Sequence, residues 1–180
     1  KSFSVISPVF RGYSRDFSYF CFVKIGGAHQ IELSLRPQSV LNVRMKKLAL
    51  FPLPGHNEYT LANGLRITHQ PAYSNVAYCG FAVDAGTRDE LENEQGMAHF
   101  VEHLIFKGTQ KRKAWHILNR MENVGGDLNA YTNKEETVIY SAFLTEHFGR
   151  AFELLADIVF HSTFPQREIE KETEVIIDEI

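Results

Sequence analysis

From Tyr59 onward, apolar and polar positions recur with the periods of regular secondary structure. Asn63-Gly64 is a turn signal between two β-like runs, residues 59–61 and 65–69. Val76–Val83 is a longer apolar run, rich in β-branched and aromatic residues, and predicts a strand. The polar, acidic stretch 89–95 predicts a loop or a helix start. Residues 97–107 predict a mostly buried helix that stops at Gly108. Residues 114–123 predict a second helix, ended by Gly125-Gly126. Two strands follow, 128–132 and 137–144, around a polar turn at 133–136. Phe148, Phe152, Leu155 and Val159 recur at helical spacing, so 146–161 predicts an amphipathic helix. Pro165 can open a last helix running to the C-terminus.

Composition narrows the class. Hydrophobic residues make up 44 % and charged residues 23 % of 180, an ordinary globular balance. No stretch approaches the roughly 18 apolar residues of a membrane span. The net charge of −3 argues against a general nucleic-acid binder. Cys21 and Cys79 do not make a disulfide framework. Cys79 falls in an apolar strand and predicts a buried thiol, which suits a reducing compartment.

Charge also divides the chain. Residues 1–44 hold six basic and two acidic residues, whereas 45–180 hold 13 and 20. The first segment has no sustained period, and the first Met is Met45, followed by Lys46-Lys47-Leu48. Three readings fit residues 1–44: upstream sequence that does not belong to the fold, an Arg- and Ser-rich transit peptide, or a weakly ordered arm. The first sets 1–44 apart as an extension and assigns 45–180 to the folded unit.

The segment that carries chemistry is His99-Phe100-Val101-Glu102-His103. On a helix, His99 and His103 stand one turn apart on one face and can bind one metal ion together. Neutral imidazoles suit zinc. Glu102 lies about 100° around the helix from His103, so it can flank the ion and accept a proton from a metal-bound water. Phe100, Val101, Leu104, Ile105 and Phe106 surround these groups, and buried imidazoles and carboxylates need partners, which a metal supplies. Catalytic zinc usually takes three protein ligands. The Glu-rich last helix is the best source of the third: Glu172 and Glu179 are two turns apart on one face, and Glu168 and Glu172 are also aligned.

The run Gly96-Met97-Ala98-His99-Phe100-Val101-Glu102-His103-Leu104-Ile105-Phe106-Lys107-Gly108-Thr109 resembles the zinc signature of the pitrilysin family. These inverted-motif zinc peptidases include insulin-degrading enzymes and the processing-peptidase β subunit of mitochondria. Ala85-Gly86-Thr87-Arg88, Gly125-Gly126-Asp127-Leu128-Asn129-Ala130-Tyr131-Thr132, Phe164-Pro165 and the segment from Glu172 to Glu179 extend the resemblance over about residues 56–180. The resemblance implies an α+β fold, an antiparallel or mixed sheet with helices on one face. It implies His99, His103 and Glu179 as ligands of one zinc ion, and Glu102 as general base. It implies Glu172 as a supporting acid that hydrogen-bonds a ligand. Asn129 and Ala130 match the segment that pairs with substrate backbone as an added strand. The implied reaction is hydrolysis of a peptide bond in a peptide or presequence.

Family members continue for hundreds of residues into a homologous second domain or a partner subunit. The chain therefore reads as an N-terminal fragment, expected to bind zinc weakly and hydrolyse little alone, because Glu179 falls in a fraying helix end. The alternative to an enzyme is a non-catalytic or partner-dependent subunit, a type that loses a ligand or the base. All four positions are present here, which favours the enzyme. A purely structural zinc site would leave Glu102 idle. The expected compartment is a bacterial cytoplasm, with the mitochondrial matrix as alternative. His116 and His147 read as surface or helix-end groups. His161 reads as a helix-end group facing the helix dipole. His29, His56 and His69 show no partner pattern, and Trp115 reads as core.

Overall fold

The computed structural model describes the backbone of residues 19–26, 29–35, 41–47, 55, 57–72 and 74–179, and the side chains of 55, 57–72 and 74–178. The strands are β1 (Tyr19–Gly26), β2 (His29–Leu35), β3 (Leu41–Lys47), β4 (Asn57–Thr60), β5 (Arg66–Ala72), β6 (Val76–Val83), β7 (Asp127–Thr132) and β8 (Thr137–Leu144). The helices are α1 (Met97–Leu104), α2 (Ala114–Glu122), α3 (Phe148–His161) and α4 (Gln166–Glu179). Six strands form one mixed sheet in the order β4-β5-β1-β6-β8-β7, and β2 and β3 pair separately. The β1–β5 pair is parallel, and the other pairs are antiparallel. The fold is α+β, as the resemblance implies.

The core forms where the sheet's inner face meets α3. Ala77, Cys79, Phe81 and Val83 alternate along β6 and are buried, together with Ile139 and Phe143 of β8. Ala151, Phe152, Leu154, Leu155 and Ile158 of α3 cover them, and Ile117 and Met121 of α2 close one side. Phe81 meets Phe152 and Phe160 at ring centroids of 5.9 and 5.5 Å. Burial of large rings on both layers fixes the β6–β8 register, because a one-residue slip would turn every one of them to solvent.

The turn at Asn63-Gly64 forms as predicted: Gly64 N–H donates to Leu61 O at 2.9 Å, and Leu65 N–H to Asn63 Oδ1 at 3.1 Å. Asn133 Oδ1 caps the β7–β8 turn, accepting from Glu135 N and Glu136 N at 2.7 and 2.9 Å. The first predicted helix is shorter and less buried than its pattern suggests. It ends at Leu104, and only Val101 and Leu104 within it are buried. The third begins at Phe148, after a single 3₁₀ turn. Pro165 precedes α4, its carbonyl accepting from Glu168 N and Ile169 N. Trp115 is not core: it is 59 % exposed and stacked on His116, on the side of α2 away from buried Ile117 and Met121. Within the segment set apart as an extension, the backbone of Tyr19–Gly26 pairs between β5 and β6. Its aromatic and β-branched residues suit a strand, although the run is too short for its period to stand out. The side chains of Cys21, His29 and His56 lie outside the described residues.

The loop after β6 approaches the β7–β8 turn closely. Thr87 N–H and Arg88 N–H donate to Asn133 O and Lys134 O at 3.0 and 3.1 Å. A Cβ on Gly86 would stand 2.4 Å from Asn133 O and 2.6 Å from Lys134 C and O, all backbone atoms. Gly86→Ala must therefore push the two loops apart and is expected to cost about 1–3 kcal/mol of stability. Urea unfolding checks this, and an unchanged midpoint would refute it.

Candidate metal centre

The site is built on α1 and its neighbours. Gly96, at φ +87°, turns the chain into α1 in a conformation that a side chain would strain. The first amides of α1 have no partner within the helix. Glu90, six residues upstream, supplies one: its carboxylate accepts from Gly96 N at 2.9 Å and Ala98 N at 2.8 Å. Sequence reasoning missed Glu90. Its spacing matches no local capping pattern, and only the fold of the 91–95 loop returns it to the helix start.

Val101 and Leu104 of α1 pack with Phe164 ahead of α4 and with Ile169 on it, a small core separate from the main one. This packing sets α1 beside α4 and turns His99 and His103 to the same side. Their Nε2 atoms converge to 3.1 Å, with rings nearly perpendicular at 87°. Two nitrogens on one tetrahedral zinc, each about 2.0–2.1 Å from it, stand about 3.3 Å apart. The pair therefore fits one shared ion. Glu102, one residue before His103, is half-buried beside it.

Behind His103 stands Glu172, buried on α4. Its Oε2 lies 3.2 Å from His103 Nδ1, and its Oε1 accepts from Lys107 Nζ at 2.6 Å. Burial alone would raise this carboxyl's pKa, but the hydrogen bonds from Lys107 and His103 prevail and hold it below the usual range. An acceptor at Nδ1 puts the proton there and leaves the Nε2 lone pair facing His99. The structure thus brings His99, His103 and Glu172 together. Position 179 ends α4, two turns beyond Glu172, and its side chain lies outside the described residues. Among the described residues, no third His, Cys, Asp or Glu completes a metal-binding group.

Asn129 and Ala130 lie on β7, at the outer edge of the sheet and beside α1. Ala130 N–H, which does not enter the ladder with β8, donates to Asn129 Oδ1 at 2.9 Å. Of the other histidines, His116 is exposed, and His147 sits where the 3₁₀ turn meets α3. His161 ends α3 with Nδ1 3.4 Å from Asp157 Oδ1. His69 is buried in β5, its Nε2 without a hydrogen-bond partner among the described residues, and burial pushes its pKa down.

The sequence profile of the family described as "Insulinase (Peptidase family M16)" matches residues 66–180. The chain belongs to this family. It is 39 % identical over 155 residues to "Mitochondrial-processing peptidase subunit beta" of Rattus norvegicus, covering 86 % of this chain and 30 % of that protein. It is 41 % identical over 124 residues to "Uncharacterized zinc protease YmxG" of Bacillus subtilis (strain 168), covering 68 % of this chain and 30 % of that one. The chain spans about a third of the length of these curated relatives. The fold is similar to the crystal structure of a protease from Helicobacter pylori, at TM-score 0.68 and 29 % identity, covering 71 % of this chain and 31 % of that one. A "peptidase M16 inactive domain" from Pseudomonas fluorescens shares the fold alone, at TM-score 0.63 and 18 % identity, covering 69 % of this chain and 31 % of that chain. The M16 match spans both the inverted motif on α1 and the acidic helix α4. Among the described residues, no helix of this M16 chain is long and apolar enough to cross a membrane.

Proposed function

We propose that this chain carries the metal centre of a zinc-dependent endopeptidase. The observation that supports it most is the convergence of two imidazole Nε2 atoms to 3.1 Å, with the back of one ring held by a buried carboxylate. His99 and His103 are two ligands in this reading, and Glu179 is the third. A zinc ion held by these residues would supply Lewis acidity to a scissile carbonyl and acidify a bound water. Glu102 is the carboxylate that would take a proton from the attacking water and pass it to the amine released as the peptide C–N bond breaks. Glu172 holds the His103 ring. Asn129 and Ala130 take the substrate backbone along the β7 edge, which puts an extended peptide beside α1. The substrate is a peptide or a presequence-like segment, held as a strand.

A subunit that needs a partner, or a homologous second domain, to complete the chamber is the second reading. The mitochondrial relative named as a subunit favours it. The mitochondrial and bacterial relatives are in keeping with either the mitochondrial matrix or a bacterial cytoplasm.

The test is zinc content and hydrolysis of a quenched peptide by the natural full-length protein, beside His103→Ala. About one zinc per chain and hydrolysis are expected, both lost in the variant. Zinc without hydrolysis would favour the partner-dependent subunit. Absence of zinc from the unaltered protein would overturn the metal-centre reading.

A further inference from the structure

Lys107 has no part in the mechanism above. It lies three residues beyond α1, where its N–H still donates to Leu104 O at 3.0 Å. Its Nζ reaches Glu172 Oε1 at 2.6 Å, while Glu172 Oε2 faces His103 Nδ1 at 3.2 Å. Each oxygen of one carboxylate thus has its own partner. With the Glu172 side chain only 11 % exposed, water has little access to replace either. A carboxylate tied to an ammonium at one oxygen cannot rotate off the imidazole without breaking a charge-assisted bond.

Lys107 is itself anchored. The next two residues bridge to other segments, Gly108 to Lys113 and Thr109 to Ser162. Thr109 Oγ1 donates at 2.7 Å to Asp157, which is buried in α3. The main chain at Lys107 is therefore pinned to α3, while its side chain reaches across to α4. A surface ion pair that merely joined α1 to α4 would need neither the burial nor the second contact to the histidine.

We propose that Lys107 is a positioning residue of the metal centre, which sets the tautomer and ring orientation of His103 through Glu172. This rests on the metal-centre reading above. Without the ammonium, Glu172 keeps one partner and turns, His103 samples both tautomers, and its Nε2 lone pair is available part of the time. Arginine at this position keeps the charge and the donors. Glutamine keeps a donor without the charge.

The experiment uses the full chain, with zinc alone as probe, and the variants Lys107→Met, Lys107→Gln and Lys107→Arg. Long-range ¹H–¹⁵N NMR on the metal-free protein above pH 8 reads the His103 tautomer. Competition against a chelator reads zinc affinity, and a thermal midpoint reads stability. The unaltered protein is expected to hold His103 with the proton on Nδ1. Lys107→Met is expected to mix the tautomers and weaken zinc binding about ten-fold, Lys107→Gln less, with Lys107→Arg close to the unaltered protein. If the unaltered protein binds zinc and Lys107→Met and Lys107→Gln leave both tautomer and affinity unchanged, the proposal is overturned and the metal centre stands. A lower thermal midpoint with tautomer and affinity intact overturns it too, since Lys107 is then a structural tie only. If the unaltered protein binds no zinc, the metal-centre reading itself fails.

Discussion

Glu102→Gln in the natural full-length protein is expected to slow peptide hydrolysis about 10²–10⁴-fold while zinc content stays at one per chain. The carboxylate and the carboxamide have nearly the same shape, so α1 and its packing through Val101 and Leu104 should survive the change. What is lost is the ability to accept a proton. The amide oxygen can hold a water, but it cannot take the water's proton at neutral pH. Glu102 is half-buried, one residue from His103, and lies outside the His99–His103 convergence. That is why its loss should separate chemistry from metal binding. The measurement is kcat/KM for a quenched peptide beside metal analysis. A variant that lost zinc along with activity would make Glu102 a ligand, and a fully active one would remove it from the mechanism.

The largest effect on stability is expected from Arg112→Met. Arg112 lies in the stretch between α1 and α2, and its side chain is 15 % exposed. It donates to both oxygens of Glu153 at 2.8 and 2.7 Å and also to Asp157. Burial would lower the guanidinium's pKa, but these bonds prevail and raise it, so it stays charged. Asp157 is 2 % exposed and also accepts from Thr109. Removing the cation leaves, among the described residues, a buried carboxylate with the Thr109 hydroxyl at 2.7 Å and His161 Nδ1 at 3.4 Å beside it, and breaking such a pair costs about 3–5 kcal/mol. Urea unfolding is the check, with Arg112→Lys expected to lose less, since the charge remains and the fork that reaches Glu153 from Nη2 and Asp157 from Nη1 does not. A loss below about 1 kcal/mol would show that Asp157 finds water or another donor. The prediction matters for the site because the same cluster anchors Lys107.

How legible all this was differs from element to element. β6 and β8 match their sequence expectation residue for residue, because long apolar runs with buried alternate positions leave one register. The inverted motif was legible for a similar reason: helical spacing alone puts His99 and His103 on one face. The size of Trp115 suggests burial, whereas the α2 stripe that meets the core is Ile117 and Met121. One short run such as Tyr19–Gly26 carries no period, and its place in the sheet comes from partners distant in sequence.

By itself, then, the sequence determined the element types from Tyr59 onward, the apolar faces of β6, β8 and α3, the placing of His99 and His103 on one helical face, and the family resemblance. All of these rest on local period or contiguous motif. Only the tertiary structure decided that Glu90 caps α1, that Lys107 and His103 share Glu172, and that Arg112 and Thr109 meet at Asp157. The last two join groups between 45 and 69 positions apart. Polar partners so far apart leave no periodic trace, because a single charged residue reads as solvated until the packing of two helices removes the water around it.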